Sequence, residues 1–291
     1  MMTILDLLEL LQAGFIQRAF VISIIIAVLC SILSIFIVLK KISLIGDGLA
    51  HTAFGGIAVG YSVFYYLQIM LGLYLQFVPW LVAGVIVILG SLGITKAIRS
   101  AKIASDAAVA LFLQLGLAGG IVLISVSRGF GFSLESLLFG SVLLVDVNQI
   151  ITAAVIAAIT LGLIFLFFKE LVYVTFDETQ ARAAGIKTWF FDYLISVLAG
   201  IVVIVAIPIV GVLLISALLV LPALISTQMA KSFRQTVILS PIMGVITVTL
   251  GLLISIIIDA APGGTIVLTG LAILAAVFTG KRVQRIIKRP S

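Results

Sequence analysis

The chain reads as an all-α, polytopic bundle that crosses a lipid bilayer eight or nine times. Three observations carry that reading. Of the 291 residues, 63% are hydrophobic and 10% are charged, against about 25% charged residues in soluble domains. The mean hydropathy is +1.42, and a water-soluble fold of this size has too little interior to hide so much apolar surface. The basic residues fall in small clusters between long uncharged runs, as they do in loops that flank membrane spans.

A span needs about 20 apolar residues, and the elements follow in order. Residues 1–14 carry Asp6 and Glu9 and no Lys or Arg, so they read as an external N-terminal segment rather than a cleavable signal with a basic start. Residues 19–39 form the first span. The uncharged run 61–95 is too long for one helix, and Pro79 divides it into a hairpin whose first helix begins before Tyr61. Tyr61, Phe64, Tyr65, Tyr66, Tyr74, Phe77 and Trp80 gather at the outer turn of that hairpin, as an interfacial belt does. Residues 107–126 and 150–168 are further spans. The outer segment 127–149 between them, with Arg128, Glu135 and Asp146, holds a short surface helix over 134–145. The run 193–226 has Pro208 near its middle and divides there into two short helices. Residues 236–258 and 265–280 complete the bundle, and 281–291 form a basic tail. The whole chain, 1–291, is one transmembrane domain.

Orientation follows from charge. With the N-terminus outside, the C-terminus inside and nine crossings, fifteen of the 17 basic residues lie in inner loops or the inner tail. Only Arg18 and Arg128 fall outside. The same rule puts loops 169–192 and 231–234 both inside, so an even number of crossings joins them. The net charge of +6 is therefore loop charge, not a nucleic-acid surface. The single cysteine, Cys30, allows neither a disulfide framework nor a thiolate metal cluster. No GxxxxGK[ST] pattern occurs, so any ATP used binds another polypeptide.

Ionisable residues within apolar segments are candidates for function, because burying them in lipid is costly. The leading stretch is Ile45-Gly-Asp47-Gly-Leu-Ala-His51, which holds the only histidine. At a spacing of four, Asp47 and His51 share one face of a helix. Carboxylate oxygen and imidazole nitrogen suit a divalent ion such as zinc or manganese. The plainer alternative makes Asp47 a helix N-cap and His51 a hydrogen-bonding partner of a neighbouring helix. Ser105-Asp106 reads first as an N-cap and second as an ion contact. Asp259-Ala-Ala-Pro262-Gly263-Gly264 reads first as a turn, with Pro262 fixing φ and the two glycines free to take positive φ, and Asp259 as a vestibule residue second. Residues 176–187 form an amphiphilic inner segment ending near Gly185, either a solvated loop helix or a helix that docks into a partner through the small side chains of Ala181, Ala183, Ala184 and Gly185.

These motifs, taken in order, resemble the permeases of ABC importers for zinc, manganese and iron(II). The likeness spans about residues 15–280. It rests on Phe15-Ile-Gln-Arg-Ala19, Leu44-Ile-Gly-Asp-Gly-Leu-Ala-His51, Ser105-Asp106, Leu137-Leu-Phe-Gly-Ser141, Asp177-Glu178 with Ala181 and Gly185, Val210-Gly-Val-Leu-Leu214 with Leu221-Pro-Ala223, and Pro262-Gly-Gly264. Gly263 and Ala50 stand where the family more often has serine. The resemblance implies a permease homodimer in a prokaryotic cell membrane, a cytoplasmic ATPase subunit that binds ATP, and an external metal-binding protein. It implies that the transported zinc, manganese or iron(II) passes Asp47 and His51. Asp106 and Asp259 are lesser pathway candidates. It also makes 176–187 the coupling helix, with Asp177, Glu178, Ala181 and Gly185 facing the ATPase, and it leaves the chain with no catalytic residues and no permanently bound cofactor. Two other transport readings compete: a secondary metal transporter or channel without an ATPase, and a permease for iron chelates or cobalamin. An intramembrane enzyme would need a Ser/His, Cys/His or HExxH arrangement, which the sequence lacks.

Overall fold

In lipid every backbone N–H and C=O must be satisfied within its own segment, so uncharged runs of this length fold as helices. A computed structural model describes residues 12–72, 77–100, 104–126, 140 and 145–287, and all regular structure among them is helical. In order, the helices are α1 (Gly14–Leu39), α2 (Ile45–Leu71), α3 (Val78–Arg99), α4 (Ser105–Val126), α5 (Val147–Leu166), α6 (Phe168–Phe176), α7 (Glu178–Ala183), α8 (Thr188–Leu218), α9 (Leu221–Met229), α10 (Phe233–Ile258) and α11 (Pro262–Ile287). Eight stretches among the described residues are long and apolar enough to cross a bilayer, with Thr188–Met229 counted as one of 42 residues.

Burial sorts centre from rim. The most apolar window of the Thr188–Met229 stretch is 72% buried, and that of α4 or α5 is 22% buried. The former lies within protein and the latter two stand largely exposed at the rim. Helix α8 touches α1, α2, α3, α5 and α11, and α2 is wedged between α3 and α4. Glycine makes the wedge tight. A Cβ on Gly55 would lie 2.5 Å from the Gly116 carbonyl oxygen of α4, and one on Gly56 would lie 3.0 Å from the Ala83 Cα of α3. Without a hydrophobic drive between helices in lipid, such close backbone packing supplies much of the association.

The stretch 188–229 leaves one end of the bundle and returns to it. Thr188 Oγ1 donates to Glu178 Oε1 at 3.1 Å, and the Phe233 ring meets Phe176 with centroids 5.2 Å apart. Pro208 instead lies with Phe77, Trp80 and Asn148 at the far end. The stretch thus runs out and back as two legs, but the break is not at Pro208. It lies at Gly211, whose φ of 80° and ψ of 164° interrupt the helical run, a backbone state open to glycine at little cost. Pro208 stays inside the helix and removes only one backbone donor. Gly140, with φ 72°, packs against this reversal: a Cβ there would meet the Gly211 nitrogen at 2.5 Å.

Other expectations shift by a turn or less. Pro79 sits in the first turn of α3, where its missing N–H costs nothing. Leu44, not Asp47, occupies the N-cap of α2, and Ser105 is already helical in α4. The turn after α10 takes its positive φ at Asp259 (φ 51°); Gly263 and Gly264 are helical, because Pro262 starts α11 rather than the turn. The basic tail is helical as far as Ile287. The 134–145 surface helix, the Leu137–Ser141 motif apart from Gly140, and most of the N-terminal segment fall outside the described residues.

Candidate translocation site and its link to the helix ends

Asp47 and His51 lie one turn apart near the start of α2, both half-buried. Their surroundings follow from their neighbours in the helix. A Cβ on Gly46 would lie 3.1 Å from Leu219 Cδ1, on the leg that descends from Gly211, whereas one on Gly48 would lie 2.7 Å from Val109 Cγ1 of α4. With roughly 100° between successive residues, Asp47 points into the arc between that descending leg and α4. His51 follows in the same arc. Both side chains keep partial exposure inside an otherwise packed region. The Nδ1 atom of His51 is buried and has no hydrogen-bond partner. The plainer reading, a histidine satisfied by a neighbouring helix, is not met at that atom. Asp47 also sits in the first turn, where the helix dipole favours a carboxylate.

The other carboxylates in the apolar part do not join this pair. Asp106 is exposed in the first turn of α4. Asp259 is exposed and ends α10 in the left-handed conformation, and Ser255 Oγ fastens that end by donating to the Ala260 carbonyl at 2.6 Å. Among the described residues no cluster of three or more His, Cys, Asp or Glu side chains could hold a metal ion. One copy of the chain therefore offers an open donor pair rather than a closed shell.

A second set of charges gathers at the end where Thr188 and Phe233 lie. The Asp192 carboxylate of α8 is shared by Lys40, which caps α1, and Arg99, the last residue of α3. Arg99 Nη1 also lies 3.6 Å from Glu178 Oε1 on α7. Glu178 pairs with Arg182 and accepts from Thr188 Oγ1. Lys40, Arg99, Glu178, Arg182 and Asp192 line a cavity of about 290 Å³. The hydrogen bond from Arg182 is the main reason the Glu178 carboxyl is held below its ordinary pKa, with Thr188, Arg182 and Arg99 adding to it against the opposing effect of burial. Through this network α7 is tied to α1, α3 and α8.

Helix α7 itself is shorter than the sequence suggests. The Asp177 side chain caps it by accepting from Gln180 N at 2.9 Å, and Gly185 follows it with φ 82°. Ala181 is fully buried against the chain's own core. It is therefore not on an exposed docking face, which is left to Ala183, Ala184 and Gly185.

Residues 12–280 match the ABC 3 transport family. The chain belongs to that family. Among its relatives, the manganese import system permease protein ScaB of Streptococcus gordonii is 33% identical over 278 residues, covering 94% of each chain. The manganese transport system membrane protein MntC of Halalkalibacterium halodurans is 29% identical over 281 residues, covering 97% of this chain and 92% of that one. A solved structure described as PsaBC from Streptococcus pneumoniae in complex with Fab superposes with a TM-score of 0.79 at 31% identity, over 95% of each chain. As an ABC 3 transport protein with eight apolar, span-length helical stretches among the described residues, this chain is a multi-pass membrane protein.

Sequence reasoning missed Asp192. The charge pattern places it in the inner loop 169–192, yet it stands on the second turn of α8. The available signal was an acid at the head of an apolar run, within a few residues of Lys187.

Proposed function

We propose that this chain is the membrane permease of an ATP-driven importer for a divalent metal ion, with manganese the first candidate and zinc and iron(II) behind it. The observation that carries the reading is the half-buried Asp47–His51 pair with an unpartnered His51 Nδ1, in a chain related to manganese import permeases. The pair offers one hard and one borderline donor, which suits manganese and zinc alike. A second copy of the chain, facing the first, doubles the donor set across the two-fold axis. An ion held by so open a site is stripped of some water and can still leave, as transport requires. The basic end faces the cytoplasm by the charge asymmetry of the loops. There α7 and its exposed Ala183–Gly185 edge dock on an ATPase subunit that binds ATP. An external metal-binding protein delivers the ion at the far end. Motion of α7 passes through Glu178, Arg99 and Asp192 to α8, which packs on α2 and so reaches Asp47 and His51. The permease moves between outward- and inward-open states and makes or breaks no covalent bond.

The test is uptake of manganese and of zinc by vesicles holding the permease with its ATPase and binding protein. His51→Leu keeps apolar volume and removes the donor; it is expected to abolish uptake while expression and ATPase association persist. Normal uptake by His51→Leu would reduce the histidine to packing and sink the site.

A further inference from the structure

A groove of about 600 Å³ opens on the lipid side of the basic end, where α5 passes into α6 and α10 begins. Its floor is aromatic. The Phe165 and Phe168 rings lie 6.4 Å apart, and Phe168 and Phe233 lie 6.2 Å apart. Its walls on the membrane side are apolar and bare: Phe165 is 85% exposed, Leu166 71% and Ile238 64%. One turn further toward the end of the bundle stand Lys169 and Arg234. Neither forms an ion pair among the described residues. Arg234 is also the second residue of α10, so the positive end of that helix's dipole adds to the two side chains. Glu170 lines the same groove and offsets one charge.

The polarity of this groove runs along one axis, apolar toward the bilayer centre and cationic toward the water. That is the polarity of a phospholipid. We propose that the groove is a binding site for an anionic phospholipid, whose phosphate lies between Lys169 and Arg234 and whose upper acyl segments lie over Phe165 and Ile238. Charge complementarity selects the occupant. A zwitterionic lipid would place its own cation near Lys169 and Arg234. A protein surface would have to bring an acid and an apolar face together at the depth where α5 leaves the membrane. Basic pockets between helix ends hold acidic head groups for the same reason.

The test uses the assembled permease and ATPase in vesicles of phosphatidylcholine with a minor share of phosphatidylglycerol, followed by native mass spectrometry of retained lipid. Wild-type complex is expected to retain phosphatidylglycerol well above its share in the vesicle. Lys169→Ala/Arg234→Ala should lower that retention by up to about thirtyfold, from the loss of two basic residues at the membrane surface. Ile238→Trp fills the groove without touching the charges and should lower it as well. Equal retention in all three proteins would overturn the proposal. Bimane on Ile238→Cys adds a second readout, with brominated phosphatidylglycerol as quencher. Quenching in the intact complex supports a lipid occupant. Quenching that appears only after the ATPase is stripped away would give the groove to the protein partner and overturn the assignment.

Discussion

Replacing Asp192 by Asn tests the mechanical link between α7 and the centre of the bundle. Asp192 is 17% exposed and its partners Lys40 and Arg99 are 12% and 26% exposed, so solvent screens the pairs only in part. The amide keeps the shape and loses the charge. Two cations from different helices then face one another with only Glu178 nearby. Breaking a fully buried pair costs about 3–5 kcal/mol; with this exposure about 2–4 kcal/mol is the reasonable figure. A loss of that size should lower the melting temperature of the reconstituted complex by about 5 °C or more. It should also separate ATP hydrolysis from transport, because α1, α3 and α8 would no longer follow α7 together. The assay is thermal unfolding alongside metal uptake per ATP hydrolysed. Asp192→Glu, which keeps the charge, should recover part of both. If Asp192→Asn melts with the wild type and transports at the same stoichiometry, the network is decoration and the coupling route lies elsewhere.

Three further outcomes are expected. Gly185 has φ 82° and open space where a Cβ would lie, so Gly185→Trp should fold yet fail to stimulate its ATPase. Gly185→Asn tolerates the same backbone and should work, and ATPase stimulation measured for both separates blocked docking from backbone strain. Gly55→Ala drives a methyl group against the Gly116 carbonyl and should destabilise by about 1–3 kcal/mol, seen as a lower melting temperature, whereas Gly119→Ala, with nothing within 4 Å of its Cβ, should be silent. Reporter fusions after Lys41 and Ser291 should report an inside location, and a fusion after Tyr74 an outside one; an external Ser291 would reverse the proposed orientation.

The spans were legible because lipid imposes one rule on each segment separately: enough apolar residues, helical throughout. The Asp47–His51 pair was legible for a similar reason, since a spacing of four is a local property of one helix. What stayed hidden was non-local. Asp192 binds Lys40 and Arg99, which are 152 and 93 residues away in the chain, and no periodicity announces such a pairing. The burial of Ala181 was hidden likewise, because a small side chain looks the same whether it awaits a partner or fills its own core. The break at Gly211 rather than Pro208 was misplaced because proline forbids one hydrogen bond, while a reversal needs a residue that accepts positive φ. Asp259 took the left-handed position expected of Gly263 or Gly264 once Pro262 had opened the next helix.

The excursion from Thr188 to Met229 also bears on how the chain is made. The leg after Gly211 is too short and too irregular, with its interruption at Leu219 and Val220, to be released from a translocon into lipid alone. Leu221 lies against Gly270, and α9 packs on α10 and α11, elements the ribosome has yet to synthesise when that leg emerges. The newborn chain must therefore hold the leg against α1 and α2 until α10 and α11 arrive. A nascent polypeptide halted between residues 229 and 260 should stay open to membrane proteases and chaperones, and the same polypeptide extended past Ile287 should close.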